Sequence, residues 1–381
     1  MEGRSNMKRV IFLRSNSVNP DSRVEKETNS LIGNDYEVTI LCWDRDNRNK
    51  GSLEFLNLAN GKVPIIRFGI LAKYGAGIKS VVPFLIFQYR LMVWMAVNRK
   101  KYEVIHASDY DTAIVAFIAA KLFRKKLIFD IFDFLFSKPE GRLVLFKKII
   151  KDAQLKVIDE ADYTIICTEK RIKQIYGSHP KKVKVIHNSP PSVSNQLLKL
   201  SLNPNKVKIV YVGIFQDRRF LIELAEVITE MKDVELHIGG FGKYETYFQE
   251  LSEKTDNIFY YGKLSYMETL ALENSCDIVT AIYDPNFDNH YFAAPNKFYE
   301  ALMLGKPLIM VKNTGMAEIV ENYDVGAVIP YNKEGLKQGI EQLVARQYEW
   351  PRMSGKMKEI YSNQFSWGEM ERRLLEVYDE V

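Results

Sequence analysis

One pattern constrains this chain more than any other: an alternation of short apolar runs and longer helical stretches that is laid down twice. In the first half the runs are "RVIFLR", "EVTILC", "VPIIRF", "EVIHAS", "KLIFDI", "YTIIC" and "VKVIH", each rich in β-branched or aromatic residues. Between them, residues 21–31, 81–101, 112–123 and 146–160 have helical length and spacing. Strands that alternate with helices predict βαβ units and a parallel sheet. A stretch rich in Ser, Pro and Asn, "NSPPSVSNQLLKLSLNPN" at 188–205, then interrupts the pattern as a linker would. The alternation restarts with "KIVYVG", "VELHIGG", "NIFYYG", "DIVTAIY", "KPLIMV" and "GAVIP", with no sequence repeat of the first half. After Lys333 only helical segments remain, and Trp367, Met370, Leu374, Leu375 and Tyr378 fall at helical spacing in the last of them.

The fold class that follows is α/β with two Rossmann-like domains. A chain of 381 residues also exceeds what one hydrophobic core usually serves. The expected boundaries are 1–188 for the first domain, 189–205 for the linker and 206–355 for the second, with helices at 356–381 returning to the first. Open parallel sheets bind ligands beyond the carboxyl ends of their strands. Two such domains therefore predict parallel sheets facing an interdomain cleft, one edge for each of two substrates.

Charge is divided unevenly. Residues 1–200 carry 34 Lys and Arg against 20 Asp and Glu, and the remainder carries 19 against 28. A basic half fits a nucleic acid, an anionic membrane surface or an anionic substrate. No zinc-finger spacing, RNA-binding aromatic motif or long basic block is present, so nucleic acid is not an expected partner. The apolar run "VVPFLIFQYRLMVWMAV" is broken by Gln88, Tyr89 and Arg90 and falls short of the roughly 20 residues that span a bilayer. With the basic residues Arg99, Lys100 and Lys101 after it, this run reads either as a helix lying on a membrane or as a buried core helix. Cys42, Cys167 and Cys276 lie far apart and make no metal-ligand spacing, and no export signal opens the sequence. The expectation is a cytoplasmic protein, peripheral on the inner face of the membrane.

The stretch with the most chemistry is "AAPNKFYEALMLGKPLIM" at 293–310. Pro295 suits the first position of a helix, whose free amides, with Lys297, offer positive charge to a phosphate. Glu300 lies three residues on and is placed to accept both hydroxyls of a ribose. An ordinary surface helix with a Lys to Glu pair accounts for the same residues. Gly239, Gly240 and Gly242 lack the third spacing of a dinucleotide fingerprint and mark a place where backbone passes close to a ligand or to its own helix. In the first half, "NSVNPDSRVEKE" enters a helix from the end of a strand, and Arg23 is either a ligand contact or a partner of Glu27 one turn on. His106 and Asp109 close another strand in "HASDYD".

These motifs resemble those of glycosyltransferase family 4, in which "PNK", two residues and a Glu open a helix that leads to a "GKP" strand. The likeness runs in order through "PDSRVEKETNSLIGNDYEVTILCWDR", "YEVIHASDYDTAIVAFIAAK", "KKLIFDIFD", "ADYTIICTEKRIKQIY", "VYVGIFQDRRFLIELAEVI", "LHIGGFGKYE" and "GMAEIVENYDVGAVIP". The resemblance implies the GT-B fold and a retaining transfer of a hexose from a nucleoside-diphosphate sugar, UDP-linked, to a hydroxyl on a glycan or lipid-linked acceptor, as in surface polysaccharide synthesis. It implies donor contacts at Gly213, Arg218, Arg219, Gly240, Pro295, Asn296, Lys297 and Glu300, with Arg219 and Lys297 stabilising the leaving diphosphate. On the acceptor side it implies Asn16 and Arg23, with His106 and Asp109 near the reacting sugar. No convincing Asp-x-Asp metal loop is present, so neither metal nor cofactor is expected.

The chain departs from the family pattern at Phe292, where a Glu is common eight positions before Glu300. It departs again at Ser108 and Phe132, where some members place histidines. These departures keep two other readings open: a sugar-nucleotide epimerase of the same fold, and a noncatalytic partner subunit.

Overall fold

A computed structural model gives the fold and describes residues 7–46, 50–73, 80–134, 144–193 and 197–381. The chain divides into two compact units, Met1–His187 with Glu371–Val381, and Asn188–Met370. Residues 189–205, expected as a linker, fall within the second unit, and 194–196 lie outside the described residues.

The first unit strings together β1 (Arg9–Arg14), α1 (Ser22–Ile32), β2 (Glu37–Asp44), β3 (Lys50–Leu58), β4 (Gly61–Gly69), α2 (Val81–Val97), β5 (Val104–Ser108), α3 (Tyr110–Phe123), β6 (Lys126–Ile131), α4 (Val144–Glu160), β7 (Tyr163–Ile166) and β8 (Val183–Val185). Its sheet has the order β3-β4-β2-β1-β5-β6-β7-β8. Every pairing is parallel except β3 with β4, which corrects the expectation of a wholly parallel sheet. The hairpin turns through Ala59 and Asn60, and Gly61 at φ 149° takes a conformation that side chains resist. Because β3 is an edge strand, its apolar residues Leu53 and Phe55 stay exposed and give no buried-strand signature.

Helix starts follow local chemistry. Asp21 caps α1 by accepting from Val24 N at 3.4 Å, while Glu25 reaches back to Asp21 N at 2.9 Å. The core of this unit packs Trp43, Phe87 and Phe129 between sheet and helices. Helix α2 buries the stripe Phe87, Leu91 and Met95, each one turn apart, and packs Phe84, Met92 and Trp94 partly against the same core, so it is a core-packing helix with one side exposed. Most of its remaining apolar side chains face outward.

The second unit contains β9 (Val207–Phe215), α5 (Leu221–Thr229), β10 (Val234–Gly242), α6 (Glu245–Lys254), β11 (Ile258–Tyr260), α7 (Tyr266–Ser275), β12 (Ile278–Ala281), α8 (Asp288–Tyr291), α9 (Asn296–Leu304), β13 (Leu308–Val311), α10 (Ala317–Tyr323), β14 (Gly326–Ile329), α11 (Lys333–Ala345) and α12 (Trp350–Ile360). The sheet is parallel throughout in the order β11-β10-β9-β12-β13-β14, the doubly wound arrangement in which strand order reverses beside the first strand. Ser265 and Glu268 close a capping box on α7. Helix α12 packs on α9 within this unit.

The final helix, α13 (Trp367–Asp379), joins the first unit only from Glu371, later than the expected return at 356. It is held there by Lys8 Nζ donating to the Tyr378 carbonyl at 2.7 Å and by the Tyr378 hydroxyl on His106 Nδ1 at 2.8 Å.

Candidate functional site

In a doubly wound sheet the strand order reverses between two neighbours whose loops leave in opposite directions, and a crevice opens at their carboxyl ends. In the second unit those neighbours are β9 and β12. Side chains from four segments meet there. After β9 the chain turns through Arg218, at φ 68°, to Arg219. The Arg219 guanidinium lies 4.0 Å from the centre of the Tyr283 ring, just past β12. Gln216, with its amide oxygen toward the guanidinium, accepts from Arg219 Nη2 at 2.8 Å and Nε at 3.2 Å. The remaining nitrogen, Nη1, is buried with no hydrogen-bond partner. Arg218 stacks its own guanidinium 4.4 Å from the Phe287 ring.

Helix α9 delivers the second cation. Pro295 is its N-cap, at φ −68° and ψ 135°, which corrects its expected place inside the first turn. Asn296 is exposed at the helix start, where its side-chain oxygen accepts from Asn188 Nδ2 at 3.1 Å. Lys297 is buried, and its ammonium sits 4.5 Å from the Tyr211 ring centre. It reaches that position past Gly213, where a Cβ would lie 2.8 Å from Lys297 Nζ. Neither Arg219 nor Lys297 forms a salt bridge among the described residues. Burial works against the Lys297 charge, but Tyr211, Tyr283 and the carboxylates of Glu300 and Glu273 outweigh it and hold the pKa above its ordinary value.

Glu300 is buried on the same helix, so the exposed Lys to Glu surface pair is excluded. Beside it lies a residue the sequence reading missed, Glu273 of α7, fully buried with both carboxylate oxygens unpartnered. Burial and then the Glu300 charge push the Glu273 carboxyl well above the usual range, against the pull of Lys297. His290 of α8 was missed as well. Its ring meets Tyr283 edge to face at 5.1 Å, and burial, aided by the Arg219 charge, lowers its pKa. No spacing rule picks out Glu273 or His290, because each reaches the site through the fold. Phe292, at the departure from the family pattern, ends α8 with its ring against Tyr291.

The glycine cluster is part of β10 itself, and the backbone it brings close is that of the neighbouring strand β9. At Gly240 a Cβ would stand 1.9 Å from the Gly213 carbonyl oxygen, so close packing of β10 on β9 already requires the glycine.

In the first unit the corresponding reversal lies between β1 and β5. Asn16 donates to Asp21 at 2.8 Å and accepts from Val18 N at 2.8 Å. Asp109 sits at φ 63°, strained for a non-glycine residue, and accepts from Phe132 N at 2.8 Å and Asp133 N at 3.1 Å. Arg14 pairs with Asp109 and, through Nε at 2.7 Å, with Asp21. Burial pushes the Asp109 carboxyl up to about 6 against the pull of Arg14.

Two residues expected here are placed elsewhere. Arg23 is not an acceptor contact: it is buried, holds Asp130 through Nε at 3.0 Å and Nη2 at 2.8 Å, and donates to the Ile186 carbonyl at 3.0 Å. His106 is not at an edge either: it is fully buried, stacked on Phe12 at 4.1 Å. Glu27, His106 and Asp130 bring metal-ligand atoms within 4.8 Å of one another, yet Arg23 lies against both carboxylates and already supplies the cation. Phe132, where some family members have a histidine, carries Arg14 and Arg23 over its ring at 4.3 and 4.7 Å.

Residues 206–346 match the family model described as "Glycosyl transferases group 1". No curated protein matches the chain by sequence. Among solved structures, sucrose-phosphate synthase from Thermosynechococcus elongatus superposes with a TM-score of 0.76 at 15% identity, covering 98% of each chain. Anabaena HepE, solved in complex with UDP, gives 0.69 at 15% identity over 98% of this chain and 100% of that one. WaaG, a glycosyltransferase involved in lipopolysaccharide biosynthesis, gives 0.64 at 12% identity over 97% and 99%. The chain thus has the GT-B fold, with two Rossmann-like α/β domains. Its second unit carries the sequence signature of the group 1 glycosyltransferases, a class of sugar transferases.

Proposed function

We propose that this protein is a hexosyltransferase that moves a sugar from a UDP-linked donor to an acceptor hydroxyl with retention of anomeric configuration. The observation that carries the reading is the meeting of half-buried Arg219 and buried Lys297 at one sheet edge, where neither forms a salt bridge among the described residues. A diphosphate supplies what they lack. Lys297 and the first amides of α9, which follow Pro295, bind the diphosphate, with Arg218 at its rim. Glu300 accepts the two ribose hydroxyls, and Gly213 leaves the space through which Lys297 reaches the site. The HepE structures with UDP and with UDP-glucose support a uridine nucleotide as donor.

In the reaction the acceptor hydroxyl oxygen forms a bond to the anomeric carbon as the bond from that carbon to the diphosphate oxygen breaks. The electron pair leaves with the diphosphate, whose new charge Arg219 and Lys297 stabilise, and the acceptor proton passes to a leaving phosphate oxygen. No metal is assigned a part in these steps. Asn16 and Asp109 are the acceptor-side residues of this proposal, and the acceptor is a glycan or a lipid-linked sugar met at a membrane surface.

Thermal unfolding of wild type and Glu300→Ala against UDP, GDP and CMP, with and without EDTA, tests the donor site. Ligand at about 100 times its Kd adds roughly 2.7 kcal/mol, a shift of several degrees. UDP alone should stabilise wild type, resist EDTA and lose its effect in Glu300→Ala. Stabilisation that vanishes with EDTA, or persists in Glu300→Ala, contradicts the assignment.

A further inference from the structure

Helix α2 is apolar around most of its circumference, yet the first unit covers only one side of it, with Phe84, Met92 and Trp94 partly packed beside the buried stripe. Phe87, Leu91 and Met95 are fully buried, whereas Val82 is 65% exposed, Leu85 58%, Tyr89 70% and Val97 74%, and Val81, Ile86 and Val93 are exposed too. Solvent rarely faces so many large apolar side chains on one helix unless something covers them. The sheet extends the same surface. Leu53 of β3 pairs with Ile66 of β4, which packs against the cluster that holds α2, so Leu53 and its neighbour on the same strand face, Phe55, project from the side of the sheet that α2 covers. Both are exposed.

Charge selects the occupant. No Asp or Glu occurs from Val81 to Lys101, while Arg90, Arg99, Lys100 and Lys101 are present and exposed. Apolar side chains fringed by basic ones on a helix of this kind match a bilayer interface with anionic headgroups. At 17 residues the helix is about 25 Å long and carries Arg90 at its middle, and no helix among the described residues is long and apolar enough to cross a membrane. It would lie in the plane of the interface.

We propose that the outer face of α2 is a docking surface for an anionic membrane. The inference deepens the reading of an acceptor met at a membrane surface, and it places the contact on the first unit, whereas the donor groups belong to the second.

Co-sedimentation with extruded vesicles tests it, using phosphatidylcholine alone and phosphatidylcholine with about 30% phosphatidylglycerol. Wild type should partition onto the anionic vesicles at least tenfold better than onto the neutral ones, and should release at about 0.5 M salt. Val82→Ser, Leu85→Ser and Val93→Ser combined should lower partitioning at least tenfold. Arg99→Ser with Lys100→Ser should lower it further for anionic vesicles alone, by roughly fivefold per basic residue removed. The substituted side chains face outward, so both variants should keep the wild-type unfolding temperature and UDP-induced shift. A lost UDP shift in wild type would overturn the donor reading and leave the docking result standing. Equal sedimentation of the apolar variant and wild type, or none with any vesicle, overturns the docking proposal. So does a wild-type dimer in solution that the apolar variant converts to monomer, since the face would then be covered by a second copy.

Discussion

The two sheet edges carry the same kind of group and treat it in opposite ways. In the first unit two arginines near the strand reversal are neutralised from within: Arg14 by Asp21 and Asp109, Arg23 by Asp130 and Glu27. In the second, Arg219 and Lys297 rest on the faces of Tyr283 and Tyr211, and the described residues offer neither a salt bridge. Desolvating a cation without an anion is costly, and an aromatic face offsets only part of that cost, about 0.5–2 kcal/mol. The first edge is complete as folded; under the proposed function the second is completed by a ligand, so that cations serve stability in one unit and binding in the other.

Substitutions should separate these roles, and the largest effect belongs to the paired side. Arg23→Ala leaves two buried carboxylates facing each other and should cost about 3–5 kcal/mol of stability, read by denaturant unfolding, with UDP affinity unchanged in the fraction that remains folded. Lys297→Ala should do the reverse. UDP affinity should fall about a hundredfold, roughly 3 kcal/mol, while stability without ligand falls by less than in Arg23→Ala because Lys297 forms no salt bridge among the described residues. A large loss of stability in Lys297→Ala would erase the distinction between the two edges.

Asp109 sharpens the comparison through pH. Its folded pKa of about 6 lies above the ordinary carboxylate value near 3.8, so the folded state holds its proton longer than the unfolded state does. The stability it contributes is fully present below pH ~4 and is lost as pH rises through ~6. Relative to Asp109→Asn, wild type should lose about 2 kcal/mol between pH ~4 and ~7, read from paired melting curves. A constant difference across that range would show that Arg14 and the two backbone amides hold Asp109 ionised throughout.

Periodicity made the strands of both sheets readable because each apolar run had to fill a core, and the "PNK" helix was readable because capping chemistry and a lysine fall together in sequence. What stayed hidden depends on neighbours far apart in the chain. Arg23 looked like a surface residue until the fold brought Asp130, 107 positions away, against it. The one signal was Asp130 itself, an acid in the apolar strand "KLIFDI" that needed a buried cation. His106 and Tyr378 meet across 272 positions for the same reason. Helix α2 left two readings open, since an all-round apolar sequence states that the residues avoid water and not what they meet instead.

The most direct test of the contrast is calorimetric titration of UDP into wild type, Arg219→Ala and Arg14→Ala in EDTA. The account predicts tight binding to wild type and Arg14→Ala alike, and a loss of ten- to thirtyfold in Arg219→Ala, about 1.4–2 kcal/mol. Equal affinities for wild type and Arg219→Ala, or a loss confined to Arg14→Ala, would contradict the claim that the unpaired cations of the second unit form the donor site.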